Sequence, residues 1–135
     1  EKLGAMRYYA MASIDFAEHW FPDGTTPAAL RVAPMLSFDR KDDMQDRALR
    51  RVTRARLEPP RNYVPGALEF VDAVRLGLGW GMLPEPMLTD TTGMVRLNPG
   101  RPFDVPLYWQ RWKLESPVLD SLTEAVRRTA REVLR

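Results

Sequence analysis

The stretch that most constrains the fold of this chain is residues 75–84, which read RLGLGWGMLP. Apolar side chains recur at helical spacing across residues 66–78, and a short apolar run typical of a strand follows at 80–83. Gly79 is expected to be the left-handed residue after the helix end. A nucleotide-binding glycine loop has the opposite order, with its glycines between a strand and the N-terminus of a helix. The stretch is therefore predicted to be a structural junction that fixes a helix against a sheet, and not a phosphate site.

Strand-like and helix-like segments alternate along the whole chain, which predicts the α/β class. The predicted strands are residues 5–12, 34–38, 62–64, 80–83, 94–97 and 105–112, the first of them covered on both faces as in a parallel sheet. Two short helical segments are predicted to start after Ser13 and at Thr26, and two longer helices to cover residues 43–54 and 66–78. A short helical segment at 84–86 and a last helix that begins at 116–117 complete the prediction. The apolar stripe of that last helix is predicted to be Val118, Leu119, Leu122, Ala125, Val126, Thr129 and Val133. Residues 98–102 are predicted to form a turn.

Composition excludes several classes of site. At 135 residues the chain is one compact domain or a piece of a two-lobed one, and without cysteine it has neither disulfides nor thiolate metal ligands. His19 is the single histidine and is expected at the surface, since one histidine without cysteine makes a poor metal site. No acid, base and nucleophile set can be assembled, so no catalytic residue, metal or cofactor is expected and the chain is not predicted to be an enzyme. No apolar run approaches the roughly 18 residues of a membrane span.

Charge gives little reason to expect nucleic-acid binding by this segment. The formal net charge is only +2, which produces no strong field. Four arginines of the last helix, Arg127, Arg128, Arg131 and Arg135, lie toward its C-terminal end, where cations are stabilising. They are predicted to form a solvated face.

Charged residues 39–43, which read DRKDD, follow a predicted strand and open a predicted helix. Open α/β sheets collect ligands at such strand-to-helix junctions. Backbone N–H groups there favour anions, while the carboxylates of Asp39 and Asp42 suit an ammonium group. The alternative is a solvated capping loop. Residues 65–67, at the next strand-to-helix junction, face the same edge and offer backbone donors but few side-chain groups.

Several segments together resemble one family of bacterial regulators. These segments are residues 3–8, LGAMRY; 38–45, FDRKDDMQ; 74–84, VRLGLGWGMLP; 99–102, PGRP; and 105–110, VPLYWQ. They resemble the second regulatory lobe of LysR-type transcriptional regulators, and most closely the branch of lysine-exporter and arginine regulators. The resemblance extends from about Leu3 to the last helix.

The resemblance implies a lobe like those of type 2 periplasmic binding proteins, with a mixed sheet flanked by helices. Residues 1–12 would be a hinge strand entering the second lobe, and 13–98 that lobe. Residues 99–135 would return through a crossing, a strand and a helix to the first lobe. The family implies a winged helix-turn-helix and the first half of lobe one elsewhere in the protein, and the strand and helix of this return are expected to lack part of their packing partners here.

The resemblance also implies an effector between the lobes, contacted by Ser13, by the loop of Asp39, Arg40 and Asp42, and by residues 65–67. The latter are Pro65, Gly66 and Ala67, where the branch usually has two serines after the proline, so two hydroxyl donors are missing here. The expected effector is a basic amino acid.

The function expected from the resemblance is effector sensing in a cytoplasmic, non-enzymatic transcription regulator that controls the export or metabolism of a basic amino acid. The regulator would bind DNA through the winged helix-turn-helix, form a homo-oligomer through the effector domain, and have no membrane partner. The alternative is a solute-binding domain of a transport system with the same two-lobed fold.

Overall fold

The computed structural model describes residues 1–97 and 102–135, and these ranges form an α/β fold as predicted. The elements in chain order are β1 (Lys2–Ser13), α1 (Ile14–Trp20), α2 (Pro27–Val32), β2 (Met35–Ser37), α3 (Met44–Val52), β3 (Arg61–Tyr63), α4 (Ala67–Arg75), β4 (Gly81–Pro84), a 3-10 turn (Glu85–Met87), β5 (Met94–Arg96), β6 (Phe103–Tyr108) and α5 (Pro117–Val133). No helix in these two ranges is both long enough and apolar enough to span a membrane. The predicted turn at 98–102 lies, apart from Pro102, outside the described residues.

The long strand β1 organises the larger sheet. Its N-terminal part pairs with β6, and its C-terminal part pairs with β4 and then with β5. All three pairings are antiparallel, so the parallel arrangement suggested for β1 is wrong. Both faces of the strand are nevertheless covered near its C-terminal end, where Met11 and Ala12 point to opposite sides and are both buried. Strands β2 and β3 pair in parallel, and a single parallel bridge between Met35 and Trp80 links β2 to the chain entering β4. The strands are therefore mixed in direction.

Neighbouring residues of the short buried strands belong to different core clusters. In β2, Met35 packs with Phe16, Leu30 and Leu49, whereas Leu36 packs with Phe70. Successive side chains of a strand point to opposite faces, so these strands lie between the two clusters. Helices α1, α2 and α3 contribute to the first cluster and α4 to the second.

The glycine-rich stretch is the predicted junction between helix and strand, with one correction. The left-handed residue after α4 is Gly77, with a φ of 76°, and not Gly79. The N–H of Gly77 donates to the Val74 carbonyl at 3.1 Å, and that of Leu78 donates to the Ala73 carbonyl at 3.0 Å, so the helix end is capped two residues earlier than predicted. Gly79 is needed for a different reason: a Cβ there would lie 2.9 Å from Leu36 Cγ.

The C-terminal strand and helix depart from the predicted pattern. Strand β6 ends at Tyr108 rather than at residue 112, although the backbone groups of Trp109 and Glu1 still exchange hydrogen bonds, at 2.9 and 3.1 Å. In α5 the buried side chains are Thr123 and Ala130, while Val118 of the predicted stripe is 79% exposed. The helix is amphipathic as predicted, but no residue of the predicted stripe is fully buried within the described ranges.

The arginines of the last helix are not all free. The guanidinium of Arg127 pairs with Glu1 and that of Arg135 pairs with Glu85, each with a shortest distance of 2.7 Å. Both guanidinium groups remain partly exposed, so the face is solvated, but their ion pairs also tie α5 and the residues after it to other parts of the chain.

Candidate functional site

One cavity of about 310 Å³ lies where the loop before α3 meets the start of α4, the middle of β1 and the end of β4. Its wall is mostly apolar, with polar side chains contributed by Tyr8, Asp42 and Gln45. The full lining consists of Tyr8, Phe38, Asp42, Met44, Gln45, Ala67, Phe70, Met82, Leu83, Pro84 and Met87. Such a wall suits a ligand with a long apolar part and a polar end.

The loop from Phe38 to Met44 holds the Asp42 carboxylate in place. Oδ2 of Asp42 accepts a hydrogen bond from the Phe38 N–H at 2.9 Å, and Oδ1 accepts one from the Met44 N–H at 3.1 Å. Oδ1 of Asp39 accepts from the N–H groups of Lys41 and Asp42 at 2.7 and 3.0 Å. Because a carboxylate oxygen has two acceptor positions, each oxygen of Asp42 keeps one for a ligand. The sequence left two roles open for this segment, a solvated capping loop and a ligand-binding loop. One segment can have both roles.

Gln45 is the most deeply buried polar side chain of the cavity wall. It lies in the first turn of α3 and is 1% exposed. Its Oε1 atom has no hydrogen-bond partner among the described residues. A buried acceptor oxygen without a donor destabilises the protein, since the oxygen has lost its water.

Tyr8 borders the same cavity from β1. Burial raises the pKa of its phenol above the ordinary value of 10.0, and the nearby charge of Asp42 raises this pKa further. The phenol therefore stays protonated at neutral pH and is available as a hydrogen-bond donor or acceptor.

An ion pair fixes α3 against the smaller sheet. The guanidinium of Arg61, in β3, bonds both carboxylate oxygens of Asp46, at 2.6 and 3.0 Å, and the hydroxyl of Ser37, in β2, at 3.0 Å. The pKa of Arg61 is raised, mainly by the hydrogen bonds to Asp46. These contacts hold the first turn of α3, which carries Gln45, in a defined position.

Two residues predicted from the sequence, Asp42 and Ala67, line the cavity together. Ser13 is buried but does not line it. The Ser13 hydroxyl accepts a hydrogen bond from the Phe16 N–H at 3.2 Å, and so caps α1 as predicted. A contact between Ser13 and an effector stays a prediction.

The other predicted site residues, Asp39, Arg40, Pro65 and Gly66, are not part of the cavity wall. Asp39 supports the loop by its backbone contacts, and Arg40 borders a separate, arginine-rich groove. Gly66 is the N-cap residue of α4, directly before Ala67. Their roles in ligand binding also stay predictions.

Sequence reasoning missed Tyr8 and Gln45. A signal for Gln45 was present, because it precedes Leu49 by four residues and so shares its face of the predicted helix. Gln45 and Leu49 are the two buried residues of α3. A polar residue on the buried face of an amphipathic helix is the exception that points to a site.

Metal chemistry finds no support among the described residues. No group of three or more histidine, cysteine, aspartate or glutamate side chains in residues 1–97 and 102–135 is placed to hold a metal ion. His19 is exposed, as predicted, and its ring meets that of Trp20 edge to face at 4.9 Å between centroids.

Comparison with known proteins identifies the family. The profile of the LysR substrate binding domain matches residues 1–131. The chain belongs to this family. The resemblance found in the sequence is confirmed, and so is the fold: this is the periplasmic-binding-protein-like α/β fold of LysR effector domains, with mixed strands flanked by helices.

Within the LysR family, the chain is 44% identical over 139 residues to the lysine export transcriptional regulatory protein LysG of Corynebacterium efficiens, covering 99% of this chain and 47% of that protein. It superimposes on the crystal structure of ArgP from Mycobacterium tuberculosis with a TM-score of 0.94 and 40% identity, over 100% of this chain and 47% of that one. The full-length LysG of Corynebacterium glutamicum with bound effector Arg gives a TM-score of 0.85 and 39% identity, with the same coverage of 100% and 47%. The chain spans less than half the length of these relatives, which are transcriptional regulators rather than enzymes.

Proposed function

We propose that this chain is the effector-sensing part of a LysR-type transcription regulator that responds to a basic amino acid and controls its export or metabolism. The names of the relatives support this proposal, and none of the three names a transport protein. The observation that carries it is the Asp42 carboxylate, held by backbone N–H groups at the wall of an otherwise largely apolar cavity.

The cavity matches the chemistry of lysine and arginine side chains. Both have an aliphatic stem that ends in a cation with several N–H donors. The stem can pack against Met82, Met87 and Phe70, and thioether side chains adapt well to a flexible chain. The cation would meet the Asp42 carboxylate, in a charge-assisted hydrogen bond that is stronger than one between neutral groups.

The same proposal divides the chain into parts. Residues 1–12 act as a hinge strand, 13–98 as the second lobe, and 99–135 as the return to the first lobe. Exposed apolar side chains on α5, among them Val118 and Leu122, support a covering partner at this end of the chain. Ser13, Asp39, Arg40, Pro65 and Gly66 would then contribute from around the cleft between the lobes.

In the complete protein, a winged helix-turn-helix would bind DNA in the cytoplasm, and effector domains would pair. Effector binding would change transcription only if the effector has different affinities for two states of the oligomer. Helix α4 is the proposed pairing surface, because Leu68 on the helix and Leu76, its C-cap residue, are 72% and 76% exposed.

The test is calorimetric titration of the full-length protein with lysine, arginine and histidine. We expect heat of binding with at least one of them, and a changed operator footprint. The variant D42N should weaken binding, because it removes the charge and replaces one of the two oxygens that accept backbone N–H groups of the loop. The matched control is D43N, at a neighbouring exposed carboxylate whose side chain makes no capping bond.

Absence of heat with every basic amino acid, together with an unchanged footprint, overturns the proposal. Equal loss of affinity in D42N and D43N would mean that only the overall charge of the loop matters, and would remove Asp42 from the site.

A further inference from the structure

We propose that the arginine-rich groove beside α3 is a second binding site of this chain, which takes a nucleoside polyphosphate. The groove has a volume of about 770 Å³ and lies between α3, the segment that follows it and β3. It shares no lining residue with the cavity that contains Asp42, so this inference is independent of the proposed function. Five arginines line the groove: Arg40, Arg50, Arg54, Arg56 and Arg61.

Positive charge is concentrated around this groove. Residues 40–61 contain eight arginine and lysine side chains and four acidic ones, so their formal charge is +4. The rest of the chain carries −2, and the net charge of +2 therefore hides this region. A concave surface of one charge sign raises the local concentration of ligands of the opposite sign. The groove therefore favours anions.

Three of the five arginines have their charge available for a ligand. The guanidinium of Arg61 is paired with Asp46 at 2.6 Å, and that of Arg56 with Glu58 at 2.9 Å. The other three are exposed and have neither an ion pair nor a side-chain hydrogen bond within the described part of the chain. These three are Arg40, Arg50 and Arg54.

The unpaired charges call for an anion with more than one negative charge. Asp43 is the one acidic side chain of the groove wall that makes no ion pair among the described residues, so three free guanidinium groups face one free carboxylate. A guanidinium group binds carboxylate and phosphate through two parallel N–H bonds. A phosphate group offers three strong acceptor oxygens and up to two charges. A short chain of phosphates therefore suits these arginines better than a single carboxylate.

The acidic side chains of the groove limit the size of the anion. Asp43 and Glu58 border the groove together with the arginines. Their carboxylates would repel a long polyanion that lies across the whole surface, such as the backbone of duplex DNA. A compact ligand can contact the free guanidinium groups and stay away from these carboxylates. The charge pattern therefore favours a small phosphate compound over DNA.

Tyr63 supplies the part of the site that suits a nucleoside. Arg61 and Tyr63 are two residues apart on β3 and so point to the same face, and both line the groove. The side chain of Tyr63 is 49% exposed, which leaves its ring accessible. An accessible aromatic ring next to a positively charged groove is the arrangement on which nucleic-acid bases stack. The volume of the groove lies in the range of small-molecule sites.

The experiment is calorimetric titration of the full-length protein with ATP, pyrophosphate and adenosine. Divalent cations are left out, because they would neutralise the phosphate charge. We expect ATP to bind more tightly than pyrophosphate, adenosine to give no heat, and added salt to weaken binding of both phosphate compounds. In R50Q/R54Q the affinity for ATP should fall about tenfold to a hundredfold, from loss of charge-assisted hydrogen bonds.

Two further variants test the position of the site and the role of the ring. R31Q/R128Q removes the same charge from exposed arginines outside the groove and should keep the wild-type affinity for ATP. Y63L should weaken ATP binding about tenfold and leave pyrophosphate binding unchanged, because only the base stacks on the ring.

Folding and the other cavity are monitored in the same variants. R50Q/R54Q changes exposed side chains only, so its thermal midpoint without ligand should equal that of the wild type. Any affinity for lysine or arginine should also be unchanged, since these ligands are assigned to the cavity with Asp42. If R50Q/R54Q does not fold, R40Q in the loop before α3 replaces it, with the same expected direction.

The proposal is overturned if the wild type binds neither ATP nor pyrophosphate. Equal loss of ATP affinity in R50Q/R54Q and R31Q/R128Q would also overturn it, because overall charge and not the groove would then determine binding. Unchanged ATP affinity in Y63L would refute the nucleoside part. Loss of operator affinity in R50Q/R54Q without any binding of ATP would assign the groove to the DNA backbone, against the proposal.

Discussion

Arg61 donates to both carboxylate oxygens of Asp46, at 2.6 and 3.0 Å, and thereby joins β3 to α3. The same guanidinium reaches the fully buried hydroxyl of Ser37 in β2. These bonds position the helix turn that contains Gln45 and follows the Asp42 loop. The ion pair is therefore structural support for the candidate site, although neither of its members lines the cavity.

Neutralising Asp46 should measurably destabilise the fold. The side chains of Arg61 and Asp46 are only 22% and 29% exposed, so the pair lies between the surface and the interior. For D46N we expect the free energy of unfolding to fall by about 1–2 kcal/mol, between the values typical of exposed and of buried pairs. Chemical denaturation measures this change.

The matched control is E58Q, which removes the charge opposite Arg56 in a pair whose side chains are 89% and 71% exposed. Exposed pairs contribute little, so E58Q should stay within about 0.5 kcal/mol of the wild type. Equal effects of D46N and E58Q would show that the contacts of Arg61 give no support to α3.

Sequence reasoning succeeded where one segment contains the whole signal. The order of helix, glycine turn and strand in residues 66–83 follows from local periodicity, and Ser13 caps α1 as its type and position predict. The helix predicted at 43–54 is observed as α3, from Met44 to Val52.

Sequence reasoning failed where the local structure depends on contacts between segments that are distant in the chain. Periodicity could not distinguish Gly77 from Gly79, because the cap is set by which carbonyls of α4 the next N–H groups reach. The pairing of β6 with β1 joins distant parts of the chain, and the burial of Gln45 depends on how α3 lies against β2 and β4. Such facts have no signature in a short sequence window.

Gly81 should not tolerate even a methyl group. An added Cβ would lie 2.6 Å from Cε1 of Phe70, a buried ring of the second core cluster. We expect G81A to lower the free energy of unfolding by about 1–3 kcal/mol through overpacking. Denaturation of G81A, F70L and the double variant gives the coupling between the two positions.

The double variant is the decisive member of that set. Because leucine leaves room near Gly81, the cost of G81A should be smaller in the F70L background than in the wild type. An equal cost in both backgrounds would mean that strain at the glycine itself, and not contact with the ring, sets the effect.

Acid should destabilise the fold through its paired carboxylates. Hydrogen bonds from Arg7 lower the pKa of Asp104, and those from Arg135 lower the pKa of Glu85. A carboxyl whose pKa is lower in the folded state stabilises the protein above its unfolded pKa, and loses this contribution as the pH falls through the folded value. We expect the free energy of unfolding to be nearly constant above about pH 5 and to decline below it.

Denaturation curves at several pH values between about 3 and 6 test this expectation. D104N removes one of the groups, so its stability should depend less steeply on pH than that of the wild type. D23N, at an exposed turn residue, is the control and should keep the wild-type slope. A D104N slope equal to the wild-type slope would contradict a role for the pair with Arg7.

The exposed face of α4 should control assembly of the full-length protein. Leu68 and Leu76 are largely exposed, and an exposed leucine can be replaced by glutamate with little effect on the fold of one subunit. If α4 is the pairing surface, glutamates at both positions place like charges in an apolar contact, and sedimentation should show a shift toward smaller species. The control is V32E, which makes the same type of change on α2, where Val32 is also exposed. A buried apolar contact cannot accept two charges on each side without loss of affinity. If the α4 variant shows no shift while its thermal midpoint is unchanged, α4 is therefore not the interface. A shift of equal size in V32E would lead to the same conclusion.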